Sequence, residues 1–417
     1  MSPSKWVYGA LKRAEKYTKT DMVYIAKGGM WLTLAQVAAS LFSLPLSIAF
    51  AYFLTPQEYG VYRYALSVAS VVGIFSLTGL GTAITRSVAR GFGGALRQGF
   101  WINLRWSFLL VLVALIGAGY YAFRDNYALS AAMLVIAVFS PLFNSSGFFI
   151  SHLNGLRDFK TASIYSTWRN LIGAAAVLTA VVLSRDPVII LAVYFISYTL
   201  TGLYFHHRTL KKHTENESPD PEMKNLSKHL SFTNGLAVLA DKLDSILLFQ
   251  FIGGAQVAIY AFAEIVPDLI NRLTKNIIPL ALPKFANRDR SEHGDLFQKA
   301  FLFNLAFLPL VVIYIFAAPY LFALFWPTYM ESVLFSQVLA FLVLFNGMIP
   351  TTFIESQGAV REKYIITLVG SGTRIVFVII GVLLYGIWGA VFARFITKIV
   401  GFFTLYVLLR GMKSKTS

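Results

Sequence analysis

Ionisable residues lie inside two long apolar segments that meet within the stretch 241–275 of this chain. They are Asp241, Lys242, Asp244, Glu264, Asp268, Arg272 and Lys275. A charge at the centre of a bilayer costs roughly 3 kcal/mol on insertion scales, so such groups face a partner or a water-filled cavity. The pattern therefore predicts that these side chains handle something polar inside a membrane.

The acidic residues of this stretch could couple the chain to an ion gradient. Asp241 and Asp244 share a helix face at i,i+3. Glu264 and Asp268 form an i,i+4 series with Arg272. A buried carboxylate can exchange a proton or hold sodium. The candidates for ion coupling are Asp241, Asp244, Glu264 and Asp268. The alternative is internal ion pairing, for example of Asp268 with Arg272 or of Asp241 with Lys242.

The composition predicts a membrane protein along the whole chain. Of its 417 residues, 57% are hydrophobic and 13% charged, with a mean hydropathy of +0.64. A soluble protein carries about 25% charged residues, so a soluble domain with a single anchor is excluded. The chain has no cysteine, which excludes thiol catalysis, cysteine-ligated metal sites and disulfides.

About twelve apolar segments are long enough to span a bilayer, for which roughly 20 residues are needed. They are too long for lipid-exposed strands and do not alternate, so we expect helices. Their limits are 30–54, 61–83, 100–123, 128–151, 162–183, 187–206, 230–252, 257–282, 297–325, 332–355, 364–384 and 387–409. The predicted fold is an all-α polytopic membrane protein.

The basic residues predict the orientation of these helices. With the N-terminus inside, nearly all loop Lys and Arg residues fall on the cytoplasmic side, and only Arg63, Arg124 and Arg185 fall outside. This asymmetry predicts that both termini are cytoplasmic. It also accounts for most of the net charge of +16, so little supports nucleic-acid binding. The predicted divisions are 1–28, an amphipathic surface helix; 29–206, a first bundle; 207–229, a cytoplasmic linker; 230–409, a second bundle; and 410–417, a tail.

The two halves of the chain resemble each other. The sequence after the first span, GVYRYALSVASVV (60–72), aligns with AIYAFAEIVPDLI (258–270), which follows the seventh span. An even number of helices per half gives the repeats one orientation, related by an axis along the membrane normal. Transport sites commonly lie between such repeats, which directs attention to the charges of the second half.

Four stretches resemble the polysaccharide-synthase branch of the multidrug/oligosaccharidyl-lipid/polysaccharide exporter superfamily. They are LTPQEYGVYRYALSVASVVGIFSLTGLGTAITRSVAR (54–90), LNGLRDFKTASI (153–164), DKLDSILLFQFIGGAQVAIYAFA (241–263) and LFALFWPTYMES (321–332). The resemblance implies twelve helices in two six-helix bundles around a central cavity. One departure concerns the turn between the ninth and tenth helices, which commonly carries a glycine where this chain has Trp326 and Pro327.

The resemblance also implies a function, the flipping of an undecaprenyl-diphosphate-linked oligosaccharide across the bacterial cytoplasmic (inner) membrane by alternating access. Such a protein serves the biosynthesis of O-antigen, lipopolysaccharide or exopolysaccharide. It is no enzyme and needs no cofactor beyond a transported proton or sodium ion. Its partners would be the lipid-linked substrate, membrane lipids, and the polysaccharide polymerase and chain-length machinery.

A diphosphate headgroup needs fixed positive charge inside the bilayer. Arg binds phosphate through its planar fork, and Lys acts as a point charge. The candidates for the substrate cavity are Arg169, Lys242, Arg272, Lys275, Arg374, Arg394 and Lys398. Arg105 lies close enough to a span end to snorkel, so it is a weaker candidate. The alternative is that these cations pair with the buried acids and only hold helices together.

Two further classes of function remain open on the sequence. A multidrug exporter of the same superfamily would want an acidic cavity, which fits the buried cations poorly. A membrane-embedded glycosyltransferase or polymerase would need a large extracytoplasmic loop with catalytic carboxylates, and every predicted outside loop is short. The chain contains no Walker A or G-x-S-x-G sequence and no His and acid cluster spaced for a metal.

Overall fold

Each apolar segment that was predicted to span the membrane corresponds to one helix or to two helices in series. The computed structural model describes residues 22–212, 218–277, 296–345, 348–356 and 359–413. Every regular element within these ranges is a helix. The surface helix predicted in 1–28 lies, up to residue 21, outside the described residues, and so do residues 278–282 of the eighth segment.

The first half of the chain runs from a long helix to the helix that enters the linker. Its helices are α1 (Met22–Phe53), α2 (Pro56–Val72), α3 (Leu80–Ala89), α4 (Ala95–Phe123), α5 (Tyr127–Ser146), α6 (Phe148–Gly155), α7 (Phe159–Leu183) and α8 (Pro187–Lys212). Between α2 and α3 the chain passes through a 3-10 turn (Gly73–Ser76) and then Leu77, whose φ of 61° is left-handed. The axis bends by 50° there, so the second predicted span is broken.

The second half repeats this plan. Its helices are α9 (Met223–Phe251), α10 (Gly254–Ile277), α11 (Leu296–Leu305), α12 (Leu308–Phe325), α13 (Ser332–Phe341), α14 (Met348–Ser356), α15 (Val360–Tyr385) and α16 (Ile387–Lys413). Gly253, with φ of 126°, makes the sharp turn from α9 into α10. The linker between the described helices is shorter than predicted, because α8 continues to Lys212 and α9 begins at Met223.

Among the described helices, seven spans are long and apolar enough to cross a membrane. They are α4, α5 together with α6, α7, α8, α12, α15 and α16, and the bent pair α2 and α3 makes an eighth if it counts as one span. The helices α9 and α10 fall outside this set although they have 29 and 24 residues, because ionisable side chains interrupt their apolar runs. The ionisable side chains of α9 and α10 are costly to place inside a bilayer, and these two helices carry a large part of the site described below.

The two halves pack together at the end of the molecule where α1 turns into α2 and α9 turns into α10. We call this the turn end. A Cβ on Gly60 would lie 1.9 Å from the carbonyl oxygen of Gly254, so the two backbones touch. The Ala255 amide donates to Gln57 Oε1 at 3.1 Å across the same contact. This close approach requires glycine and holds α2 against α10.

Trp326 fills the same contact between the halves. It is 2% exposed, and its Nε1 donates to Ser47 Oγ at 3.2 Å. The Phe262 ring lies beside it and stacks on Tyr329, with 3.8 Å between ring centroids. The departure from the family pattern at this turn therefore places an indole between the two halves.

The opposite end of the molecule carries the linker, and we call it the linker end. Here the buried residues form separate clusters, around Leu80 and Ile84 in the first half and around Phe353 and Leu409 in the second. The start of α9 belongs to the first-half cluster through Met223. The Gly79 amide also donates to Ser231 Oγ at 2.9 Å, so α9 packs on the first half here as well.

Candidate functional site

The carboxylate of Asp244 lies at the centre of the polar groups in the second half. Its side chain is 1% exposed. Its Oδ2 accepts hydrogen bonds from Tyr260 Oη at 2.7 Å, from Arg374 Nη2 at 3.1 Å and from Arg394 Nη2 at 3.2 Å. Its Oδ1 accepts from the Ser245 amide at 2.9 Å. Four donors therefore satisfy a charge that would otherwise be too costly to bury.

Ion pairs extend from Asp244 in both directions. On one side Arg374 Nη1 lies 3.3 Å from Asp241 Oδ1, and Lys242 Nζ lies 3.2 Å from Asp241 Oδ2. On the other side Arg394 Nη2 pairs with Glu264 Oε1, and Glu264 Oε2 lies 3.8 Å from Arg63 Nη2. Cations and carboxylates alternate in this chain, which we call the charged ladder. Its members in order are Lys242, Asp241, Arg374, Asp244, Arg394, Glu264 and Arg63.

Helix packing explains how residues so far apart in sequence meet. Asp241, Lys242 and Asp244 lie on α9, and Glu264 lies on α10. Arg374 and Arg394 come from the hairpin of α15 and α16. A Cβ on Gly389 would lie 1.8 Å from the Gly381 carbonyl oxygen, so the backbones of this hairpin touch. The hairpin packs against α9 through α15, and both guanidinium groups reach one carboxylate. The Arg394 guanidinium also lies 5.2 Å from the Tyr260 ring centroid.

The ladder is most buried in its middle and more exposed at its ends. Arg374 and Arg394 are mostly buried, whereas Asp241 is 53% exposed and Arg63 and Lys242 are about one-third exposed. The ladder begins and ends with a cation, and the carboxylate of Asp268 lies near its Arg63 end. The Nε atoms of Arg63, Arg374 and Arg394 are buried and have no hydrogen-bond partner. A ladder of this kind can accept a further anion.

The structure brings six of the predicted site residues together. These are Asp241, Lys242, Asp244, Glu264, Arg374 and Arg394. The sequence left two alternatives for the cations, substrate binding and pairing with buried acids. In the structure Arg374 and Arg394 are paired with the buried Asp244. The pairing of Asp241 with Lys242 is also present.

The other predicted residues lie elsewhere. Asp268 and Arg272 are both exposed on α10 and form no ion pair with each other, although Asp268 is near enough to Arg63, Glu264 and Arg394 to interact with them electrostatically. Lys398 lines an apolar cavity of about 660 Å³ between α11 and α16. The side chain of Lys275 lies outside the described part of the chain. The i,i+4 spacing from Asp268 to Arg272 thus produces no pair, because both side chains reach solvent.

Arg169 is held in the first half without any acid. Its Nε donates to the Tyr198 carbonyl oxygen at 3.1 Å, and its guanidinium lies 5.4 Å from the Phe143 ring centroid. A Cβ on Gly147 would lie 3.2 Å from Nη1, and one on Gly202 would lie 3.3 Å from Nε. Among the described residues, no carboxylate lies within ion-pair distance of this guanidinium. The two glycines leave room for it instead.

Two residues of the site, one in the ladder and one beside it, were missed on the sequence. Arg63 was placed on the outside because it lies close to the predicted start of its span, but it reaches across to Glu264 of the other half. Nothing in the sequence distinguishes Tyr260 from the other aromatic residues of the apolar segments, but its hydroxyl donates a hydrogen bond to Asp244 Oδ2. The internal repeat was a usable signal for both, because it aligns residues 60–65 with 258–263, and these segments pack on each other in the structure.

The described residues offer no obvious metal centre. No group of three or more His, Asp or Glu side chains within the described ranges is arranged to hold a metal ion. The polar groups of the site are instead guanidinium, ammonium, carboxylate and phenol.

Solved structures with the same fold are membrane transporters. The chain is similar to the lipid II flippase MurJ in an inward closed conformation, with a TM-score of 0.64, 15% identity, and 92% of this chain and 87% of that chain covered. It is similar to an inward-facing multidrug resistance MATE family transporter of the MOP superfamily, with a TM-score of 0.62, 15% identity, and 91% and 96% covered. A MOP superfamily transporter from Pyrococcus furiosus, whose binding pocket is described as having reverse polarity, matches with a TM-score of 0.51, 18% identity, and 94% and 95% covered.

These likenesses establish the fold, an all-helical polytopic arrangement of two bundles as in the MOP superfamily, and the expectation from the sequence is confirmed in this respect. No curated protein sequence matches the chain. The model of one protein family, described as polysaccharide biosynthesis protein, matches residues 25–282. Because that match covers more than half of its length, this chain belongs to the polysaccharide biosynthesis protein family.

Proposed function

We propose that the protein flips a lipid-linked glycan with a phosphate or diphosphate headgroup across a membrane, for the assembly of a surface polysaccharide. The charged ladder carries this proposal. It contains four cations, and three of its arginines have a buried Nε–H group without an acceptor. A phosphate oxygen accepts from guanidinium groups in charge-assisted hydrogen bonds, which are about twice as strong as neutral ones. An anionic headgroup therefore fits the ladder and a cationic drug does not.

The substrate class follows from the family and from the headgroup chemistry together. The family description concerns polysaccharide biosynthesis, and one protein of similar fold is a lipid II flippase. The finer assignment is an undecaprenyl-diphosphate-linked oligosaccharide in the bacterial cytoplasmic membrane, of the O-antigen, lipopolysaccharide or exopolysaccharide type. Both termini would be cytoplasmic, as the basic residues predict. A polysaccharide polymerase and chain-length machinery would receive the flipped product.

Alternating access would work through the contact between the halves. At the turn end the halves are joined by the Gly60–Gly254 contact, by Trp326, and by the ion pair of Arg63 with Glu264. A phosphate at the ladder would compete with Glu264 for the arginines and weaken the only one of these links that is electrostatic. The substrate would in this way favour separation of the halves at the turn end.

Ion coupling would use the exposed carboxylates. Asp244 already accepts from four donors, and Glu264 is paired with two arginines. Asp241 is half-exposed and Asp268 exposed, so a proton or sodium ion could reach either one. We expect flipping to depend on a proton or sodium gradient and this dependence to be lost on Asp241→Asn or Asp268→Asn. Flipping that ignores both gradients would contradict the coupling.

The function can be tested in reconstituted vesicles. The probe is a fluorescent farnesyl-diphosphate-linked N-acetylglucosamine, and its appearance in the opposite leaflet is followed by chemical quenching of the exposed dye. We expect wild-type protein to accelerate flipping of this probe and not of a phosphatidylcholine with the same dye. Arg374→Gln should slow flipping by about tenfold or more, the loss of one charge-assisted contact of roughly 1.5–3 kcal/mol.

Arg185→Gln is the matched control, because Arg185 is exposed in the loop before α8. It should leave the rate unchanged. Absence of any acceleration by wild-type protein would overturn the proposal. Transport of a cationic dye instead would favour a multidrug exporter.

A further inference from the structure

A neutral polar cavity lies inside the first half near Arg169, and no residue of the charged ladder lines it. It measures about 290 Å³ and lies between α2, α4, α5 and α8, beside the break in the second span. Its polar walls come from Ser70, Ser76, Thr78, Asn103, Ser140 and Asn144. No charged side chain lines it. Irregular backbone inside a membrane protein commonly lines such cavities and ligand sites.

Several polar groups of the cavity already have partners, and they hold its shape. Asn144 Nδ2 donates to Ser76 Oγ at 3.1 Å, and the side-chain amide of Asn103 donates to the Ser76 carbonyl oxygen. Ser145 Oγ donates to Asn103 Oδ1 at 2.9 Å. These bonds fix the residues around the helix break, so the cavity is preformed.

Two hydroxyl groups in the cavity have no partner. Ser140 is 2% exposed, and its Oγ makes no hydrogen bond; the buried Oγ1 of Thr78 makes none either. A buried hydroxyl without a partner costs roughly 1–3 kcal/mol, so each one indicates an acceptor or donor that a ligand would supply. The rings of Phe143, Phe148 and Tyr194 provide apolar walls beside them.

The cavity and Arg169 share a wall. The guanidinium of Arg169 lies 5.4 Å from the centroid of the Phe143 ring, and Phe143 also lines the cavity. Neutral hydrogen-bonding groups with aromatic walls suit the hydroxyls and the ring of a sugar. A volume near the lower limit of small-molecule pockets, about 300 Å³, suits one sugar ring rather than an oligosaccharide. A cation next to such a cavity suits the phosphate to which that sugar is attached.

We propose that this cavity binds one sugar ring of the substrate while Arg169 binds the adjoining phosphate. The first half thus recognises the glycosyl phosphate, and Ser140 and Thr78 make hydrogen bonds to the sugar. This inference rests on the proposed function but concerns a separate site. An alternative occupant, a monovalent cation held by the neutral oxygens, is one outcome of the test.

The test compares two probes on purified full-length protein in detergent. One is farnesyl diphosphate carrying N-acetylglucosamine, and the other is farnesyl diphosphate alone. We expect wild-type protein to bind the sugar-bearing probe more tightly. Ser140→Ala and Thr78→Val should weaken only that probe, by roughly three- to tenfold, the range for one neutral hydrogen bond. Arg169→Gln should weaken both probes.

Matched controls separate binding from folding. Ser163 is 3% exposed and its hydroxyl also has no partner, but it does not line the cavity. Ser163→Ala should therefore leave both affinities unchanged. None of the three hydroxyl variants should lower thermal stability, since each removes a group without a partner.

Each other outcome overturns a definite statement. If wild-type protein binds both probes and Ser140→Ala and Thr78→Val change neither affinity, this inference fails and the proposed function stands. If these variants change only stabilisation by sodium or potassium ions, the cavity is a cation site. If wild-type protein binds neither probe, the proposed function fails, and the inference with it.

Discussion

The two halves of the protein hold their buried arginines in opposite ways. In the second half Arg374 and Arg394 share the carboxylate of Asp244, and further acids flank them. In the first half Arg169 contacts a carbonyl oxygen and two aromatic rings, with no acid within ion-pair distance among the described residues. A largely buried arginine is thus paired with a carboxylate in the second half and has no carboxylate partner in the first.

This difference separates two roles that a buried cation can have. A cation that shares a carboxylate is expensive to remove, because its partner is then left charged and buried. A cation without an acid contributes little to stability and keeps its charge for a ligand. We therefore expect the charged ladder to determine how the halves are joined, and Arg169 to affect substrate binding with little effect on folding.

The largest expected effect is the loss of stability on Arg394→Leu. The substitution leaves Glu264 with only Arg63 at 3.8 Å and Asp244 with only Arg374, so the free energy of unfolding should fall by about 3–5 kcal/mol. Arg169→Leu should change it by no more than about 1 kcal/mol, because no acid is left behind. Denaturant titration of the purified variants in detergent measures both values.

The double variant Arg394→Leu with Glu264→Leu is the control. It removes a cation and an acid together, so part of the lost stability should return. Equal losses for Arg394→Leu and Arg169→Leu would show that the two halves do not differ in this way.

A second prediction concerns the contact between the halves rather than the inside of either one. Trp326→Ala removes an indole that is buried between the halves, and Trp-to-Ala changes in cores cost about 3–5 kcal/mol. Here part of that energy holds the halves closed at the turn end, so the substitution should also open them. The chain has no cysteine, so a single Ser47→Cys provides a probe. We expect thiol-reactive dyes to label Cys at this position faster by about tenfold or more.

Trp388 provides a matched control for this prediction. It packs on Phe335 and Phe392, which belong to its own half. Trp388→Ala should therefore leave the labelling rate at position 47 unchanged. If Trp326→Ala also leaves that rate unchanged, the indole does not hold the turn end closed.

The sequence predicted the chemistry of the second half better than that of the first. Asp244, Arg374 and Arg394 were recognised because a charge inside an apolar helix is costly and therefore conspicuous. Their pairing was not predictable, since it depends on which faces of α9, α15 and α16 meet. Lys398 shows the same limit, because it is equally conspicuous in sequence and lines a different cavity.

The neutral cavity of the first half was missed for a related reason. Serine, threonine and asparagine are common in membrane helices, where they bond to their own backbone, so Ser140 and Asn144 are inconspicuous. Gly73, Gly79 and Gly81 are a signal for a helix break that was not used, since residues 61–83 were predicted as one span. The approximate positions of the helices were predictable from apolar length, but their ends and breaks were not, since α8 continues to Lys212, α9 begins at Met223 and the second span is bent by 50°.

The smallest expected effect lies at the linker end, where Asp220 ties the linker to the first half. Its Oδ2 accepts from Ser87 Oγ at 2.6 Å, its Oδ1 from the Glu222 amide at 2.9 Å, and Arg90 Nη1 lies 3.8 Å away. Burial would raise the pKa of Asp220, but these hydrogen bonds and the nearby arginines outweigh it and hold the pKa below its usual value. A lowered pKa in the folded state stabilises the protein above about pH 4 and is lost as the pH falls through the folded value.

Asp220→Asn should therefore cost on the order of 1 kcal/mol at pH 7, through the loss of hydrogen bonds to a charged acceptor. The difference from wild type should shrink as the pH falls below about 4, because wild-type Asp220 then becomes protonated as well. Glu222→Gln is the control, since Glu222 is mostly exposed and its pair with Arg90 should contribute little. A constant difference between Asp220→Asn and wild type from pH 7 to pH 3 would mean that the carboxylate charge does not hold the linker to the first half. The join at this end would then depend on the packing of Met223 and on the hydrogen bonds of Gln98 with the Asp220 backbone.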